Sequence, residues 1–148
     1  HSLILPMFKP KIPGMILSPL MIISHPLGDI LHIMKSDSGS YLDIAEVYAS
    51  CIFKNCTKGW KRHLSFPSNI VVISGSVRFD FIDSRHDSFI TDTVTLSPHT
   101  NHCRLLIPPL VWVKFTGLAS NSILVNCSSA VHDPLEQENV PLNTFDFP

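Results

Sequence analysis

The stretch from Lys58 to Arg85, KGWKRHLSFPSNIVVISGSVRFDFIDSR, most limits what this chain can fold into. Val77, Phe79 and Phe81 alternate with Ser76, Arg78 and Asp80. Period-two alternation sends the two sets to opposite faces of a sheet. A second apolar run, Ile70 to Ile73, precedes Gly75, and Ser74-Gly75 predicts a tight hairpin turn, because glycine reaches positive φ without a Cβ clash. Twelve prolines against six glycines argue against long helices and for short, interrupted strands.

The rest of the chain repeats that rhythm. Met15 to Ile23 reads as an edge strand, since Pro19 lies inside it. Ile30 to Lys35 reads as a short strand and Lys35 to Tyr41 as a polar loop. In Ile44 to Phe53, Glu46, Tyr48 and Ser50 alternate with Val47, Ala49 and Cys51, and one of these faces must look inward. Thr91 to Leu96 and Cys103 to Pro108 are further strands. Val111 to Leu118 and Ser122 to Cys127 are expected as a final pair. From His132 the chain is polar, and its end, Phe145-Asp146-Phe147-Pro148, is expected to lie over the body. About nine or ten evenly spaced strands imply a sandwich or closed barrel, an all-β fold. The 148 residues suit one domain, with a barrel over about 15–136 and a tail over 137–148.

Composition narrows the partners. Apolar residues make up 45% and charged residues 16%, which excludes a disordered tail, and a net charge of −1 gives no field that would gather nucleic acid. Cys51, Cys56, Cys103 and Cys127 show no C-x-x-C spacing and read as reduced thiols of a cytoplasmic protein. The apolar N-terminus is broken by Pro6, Pro10, Pro13 and Pro19, so no membrane partner is expected. His1 is set aside as tag-derived. The eight histidines sit at no ligand spacing, so no metal is expected.

Lys58-Gly59-Trp60-Lys61-Arg62-His63 combines cations suited to phosphate, an aromatic platform and a titratable imidazole. This run, followed in order by SNIVVISGSVRFDFIDSR, NHCRLLIPPLVWVKFTGL and HDPLE, resembles the dTDP-4-dehydrorhamnose 3,5-epimerase family over about Ile16 to Glu136. It looks closest to a branch with K-G-W-x-x-H and H-D-P-x-E runs. The resemblance implies a double-stranded β-helix (cupin or jelly-roll) barrel and a homodimer. It also implies cofactor-free action on a nucleotide-linked 4-keto-6-deoxyhexose in surface-polysaccharide biosynthesis.

The chemistry it implies is proton abstraction next to the 4-keto group, an enolate, and proton return to the opposite face. Carried over position by position, the family base falls on Lys61. His63 lies two residues further on the same strand face, about 7 Å along. The family tyrosine falls on Asn126 and a lysine on Ser68, beside Asn69. Glu46, Tyr48 and Ser50 occupy a substrate-facing run. Tyr48 is the available phenol, Lys61 an oxyanion holder or amine base, and His132 with Asp133 a candidate imidazole–carboxylate pair. Arg62, Arg78 and Arg104 are assigned to phosphate and Trp60 to stacking.

Several of these residues also have structural uses. Trp60 suits a core, Arg78 and Asp80 a surface pair, Asp83 and Arg85 a turn, and His132-Asp133-Pro134 a turn start. Two functions stay open beside the epimerase: a ketoisomerase of the same keto sugar, and a sugar-nucleotide-binding cupin without catalysis. An oxygenase-type metal cupin is disfavoured, because Lys61 and Val113 stand at the ligand positions.

Overall fold

A computed structural model describes residues 8–148 and the backbone of Ser2–Leu3. Its strands are β1 (Ser2–Leu3), β2 (Ile16–Pro19), β3 (Met21–Ile23), β4 (Ile30–Leu31), β5 (Glu46–Phe53), β6 (Thr57–His63) and β7 (Ser68–Ser74). They continue as β8 (Val77–Asp83), β9 (Ile90–Leu96), β10 (Cys103–Ile107), β11 (Val111–Gly117), β12 (Asn121–Ser128) and β13 (Gln137–Asn139). Two five-stranded antiparallel sheets, ordered β2-β10-β7-β12-β5 and β13-β6-β11-β8-β9, enclose the core, and a small sheet β1-β3-β4 stands apart. Among the described residues the helices are two short 3-10 turns, Pro134–Glu136 and Leu142–Thr144. This is the all-β architecture expected from the strand rhythm, in the jelly-roll arrangement that the family resemblance implies.

Three local expectations are corrected. No hairpin forms at Gly75, because β7 pairs with β10 and β12 while β8 pairs with β9 and β11. The physical reason lies in the two apolar runs. Ile70 and Val72 of β7 meet Val77, Phe79 and Phe81 of β8 across the core instead of side by side. Gly75 is the crossing point between sheets: its φ is 74°, and a Cβ there would stand 2.8 Å from the Ser122 Cα. For the same reason β11 and β12 are not a pair but belong to opposite sheets. The stretch Met15 to Ile23 divides at Leu20 into β2, an edge strand of the first sheet, and β3 of the small sheet.

The D-x-R run closes β8. Asp83 Oδ1 accepts from Arg85 Nε (2.8 Å) and Arg85 N (3.0 Å), Oδ2 accepts from Nη2 (2.9 Å), and the same guanidinium donates to the Pro13 carbonyl (2.6 Å). Asp83 is fully buried. Its carboxyl is held below the usual range, first by the Arg85 hydrogen bonds, with burial opposing them.

The outer face of the second sheet carries Trp60, Ile82 and Trp112, covered by Val140, Phe145 and Phe147 of the tail. Trp60 meets Phe145 edge-on at 5.5 Å and donates Nε1–H to the Leu142 carbonyl (3.2 Å). β13 is zipped to β6 with Gln137 opposite His63 and Asn139 opposite Lys61. Deleting residues 141–148 removes this aromatic cover and should cost about 2–4 kcal/mol. A urea midpoint lowered at unchanged slope checks it, and an unmoved midpoint would show that the tail adds nothing to stability.

Candidate active site

The polar face of β5 turns inward. Asn126 of β12 stands opposite both Tyr48 of β5 and Ile70 of β7, so all three side chains share the inner face of the sheet. Glu46, Ser50 and the buried Ile52 follow Tyr48 on that face by the period of two. Across the gap, Lys61 stands opposite Val113, and Lys58 opposite Phe115, so these lysines face the core side of the second sheet. A bulge makes this possible, since three steps of β6 span two of β11. Gly59 forms it with φ 127°, where a Cβ would lie 2.7 Å from the Val113 carbonyl oxygen.

The gap between β5 and β6 is a cleft lined by Glu46, Tyr48, His63, Ser68, Asn126 and Glu136, with Val131, His132 and Asp133 at its mouth. It is narrow, with free space of about 20 Å³. A second hollow of about 210 Å³ adjoins it along the same strands, lined by Ser50, Lys58, Lys61, Val113, Phe115 and Asn139.

At the centre of the cleft, His63 Nδ1 lies 2.7 Å from Glu136 Oε2. The other carboxylate oxygen accepts from the backbone N–H of Ser65 (3.0 Å) and of Phe66 (3.1 Å). Burial alone would raise the Glu136 carboxyl, but the Ser65 N–H, the His63 ring and the Phe66 N–H together bring it below its ordinary value. An ionised carboxylate has no proton to give, so Nδ1 carries the hydrogen and donates it. In the neutral ring Nε2 is then the bare acceptor. Nε2 makes no hydrogen bond among the described residues.

On the opposite wall Asn126 Nδ2 donates to the Tyr48 hydroxyl oxygen at 3.0 Å. Burial, and then the nearby Glu46, raise the Tyr48 phenol above its ordinary pKa, so it keeps its proton. Lys61 is lowered, first by burial and then by the charge of Lys58, with Glu136 opposing. Lys58 Nζ donates to the Cys51 carbonyl (2.7 Å) and lies 3.4 Å from Ser50 Oγ.

The structure thus gathers His63, Tyr48, Lys61, Glu46, Ser50 and Asn126, along with Ser68. His132 and Asp133 reach only the rim. The His132 N–H donates to Glu46 Oε2 (3.3 Å), and Asp133 Oδ1 accepts the Leu135 N–H (3.0 Å) as the cap of the 3-10 turn. The imidazole–carboxylate pair is therefore His63–Glu136 and not His132–Asp133. Asp-Pro starts a turn, and that turn swings Glu136 back onto β6. Glu136 is a candidate site residue that the sequence reading missed, whereas Lys58 was read only as one of the cations of the KGWKRH run and received no separate role. The signal for Glu136 was the last letter of HDPLE.

Five assigned binding residues lie away from the cleft. Trp60, Arg62 and Arg78 point to the outer face of the second sheet. Trp60 is fully buried under the tail, Arg62 pairs with Glu138 (2.9 Å) over the Trp112 ring, and Arg78 pairs with Asp80 (3.5 Å). Here the strand alternation decides, since the neighbours of Lys61 must face outward. Asn69 and Arg104 point to the outer face of the first sheet, where Asn69 Nδ2 donates to the Ser40 carbonyl and Arg104 Nη2 to the Ser40 hydroxyl.

No protein-family model matches the chain. No curated protein matches it. Solved structures do. A dTDP sugar isomerase from Desulfovibrio desulfuricans G20 superposes with a TM-score of 0.86 at 29% identity, covering 89% of this chain and 87% of that one. A dTDP-4-dehydrorhamnose 3,5-epimerase from Sulfolobus tokodaii gives 0.79 at 21% identity, with 95% and 85% covered. A sugar 3,4-ketoisomerase from Thermoanaerobacterium thermosaccharolyticum, solved with TDP-4-keto-6-deoxyglucose, gives 0.72 at 20% identity, with 86% and 88% covered. The last two establish the fold alone. In fold the chain is thus similar to a dTDP sugar isomerase and to dTDP-4-dehydrorhamnose 3,5-epimerases.

Proposed function

We propose that this protein is a nucleotide-sugar epimerase acting on a dTDP- or similarly linked 4-keto-6-deoxyhexose, at C3, at C5 or at both. One observation carries the reading: the His63–Glu136 pair and the Tyr48 phenol stand on opposite walls of one cleft, each wall belonging to a different sheet. Inverting a carbon next to a ketone needs a base on one face and an acid on the other.

In this reading His63 Nε2 takes the proton from the carbon next to the ketone. The C–H electron pair moves into the enolate, and Glu136 stabilises the imidazolium. The Lys61 ammonium faces the growing charge on the enolate oxygen. Tyr48 then gives its hydroxyl proton to the opposite face of the carbon, and solvent restores both groups. Asn126 orients the phenol. Since the free space is small, the sugar enters as the exposed Val131–Asp133 rim moves aside. The lysine-lined hollow next to the cleft suits an anionic part of the substrate.

The phenol therefore stands one strand away from the position at which the family places it. Tyr48→Phe tests this. The variant should keep exchange of the substrate proton with solvent, because His63 is untouched, while inverted product falls about 10²- to 10⁴-fold. Equal loss of exchange and inversion would remove Tyr48 from the acid role. The second reading, a 3,4-ketoisomerase, uses the same base and is favoured by the bound keto sugar of the third neighbour. Its product carries the ketone at C3, which NMR distinguishes from a C3 epimer. We place the activity in surface-polysaccharide biosynthesis, in the cytoplasm and in a homodimer. Among the described residues no helix is long and apolar enough to cross a membrane.

A further inference from the structure

Behind the first sheet, on the side away from the cleft, lies a cavity of about 360 Å³. Leu20, Met21, Ile23 and Met34 form its apolar walls, and Arg104, Lys35, Ser38 and His32 its polar end. Arg104 is 1% exposed. Its guanidinium is held by neutral oxygens only: Nη1 donates to the Ile33 carbonyl (2.9 Å), and Nη2 to the hydroxyls of Ser40 (2.8 Å) and Ser38 (3.1 Å). Among the described residues no carboxylate oxygen lies within 4.0 Å of it. Residues 1–7 contain no Asp or Glu. The carboxylate on the loop beside the cavity, Asp37, stands 3.9 Å from Lys35 and is exposed.

The buried polar side-chain atoms without a partner among the described residues are Arg104 Nε, His102 Nδ1 and Asn69 Oδ1. All three belong to this one region, on β7 and at the start of β10 beneath the 32–40 loop. A cation removed from water without a counter-charge is costly. Buried polar atoms are ordinarily satisfied. Of the three residues, Arg104 lines the cavity, which is large enough for a small ligand.

We propose that this cavity is a second ligand site, separate from the catalytic cleft, which takes a small amphipathic carboxylate. The carboxylate oxygens pair with the Arg104 guanidinium, with Lys35 at the entrance, and a short aliphatic body lies against Leu20, Met21, Ile23 and Met34. Nothing in this site depends on the epimerase reading, because no residue is shared with the cleft.

Octanoate is the probe. The intact protein, labelled with ¹³C-methyl methionine, is titrated with sodium octanoate and in parallel with octan-1-ol. The Met21 and Met34 methyl signals should shift and saturate, while Met15, in the main core, stays still. Octan-1-ol should bind at least about tenfold more weakly, because it lacks the charge. Arg104→Gln should weaken octanoate by a similar factor, and should the variant not fold, the comparison of the two probes on the native protein decides alone. No saturable shift, equal binding of alcohol and acid, or full octanoate affinity in a folded Arg104→Gln protein would overturn the proposal.

Discussion

Replacing His63 by asparagine is expected to reduce exchange of solvent deuterium into a 4-keto sugar nucleotide by about 10²- to 10⁴-fold, the usual share of a positioned base. Asparagine still offers Glu136 a donor, so folding should be kept, with a urea midpoint close to that of the native protein. Glu136→Gln should also slow exchange. The amide no longer fixes the proton on Nδ1, and it cannot balance the charge of the imidazolium. Because the Glu136 carboxyl sits below its ordinary value, the pair persists through mildly acidic conditions. It is lost only as pH falls through that lowered value. Full exchange in the His63→Asn protein would assign the base elsewhere, and Lys61 is the group that remains on that face.

Arg85→Ala is expected to cost about 3–5 kcal/mol at neutral pH, because it leaves a buried carboxylate without its partner. Asp83 is fully buried, and the variant also loses the tie to Pro13. The pH dependence has a definite sign. A carboxyl lowered by folding contributes stability above its unfolded value, and that contribution is lost as pH falls through the folded value. Without Arg85 only burial acts on Asp83 and raises it, whereas in the native protein it lies below the ordinary 3.8. The gap between native and variant protein should therefore be full at pH 7. It should narrow as pH falls first through the raised value of the variant and then through the lowered value of the native protein. Urea denaturation at pH 7 and at pH 3 measures it. A gap of the same size at both values would show that the loss comes from packing and not from the ion pair.

The fold was legible because its signals are local. Alternation in Val77–Phe81 and in Glu46–Ser50 sorted the side chains into two faces, and the face of β5 that looks inward holds Tyr48. What was not legible is which strands pair. A turn at Gly75 looks the same in sequence whether it joins neighbours in one sheet or crosses between two, since both need a glycine at positive φ. The arginines show a second limit. Arg62 and Arg78 lie on motif-bearing strands, yet strand parity sends them to the outer face, where Glu138 and Asp80 hold them. Arg104 obeys the same rule on the other sheet. Glu136 escaped notice because it acts across 73 residues of chain, and only the pairing of β13 with β6 brings it to His63.

The most direct test of the catalytic reading is proton NMR of dTDP-4-keto-6-deoxyglucose incubated with the native protein in deuterium oxide. The account predicts enzyme-dependent loss of the signal at C3, at C5 or at both, faster than in buffer alone and abolished in His63→Asn. Retention of both signals through prolonged incubation with folded protein would contradict it.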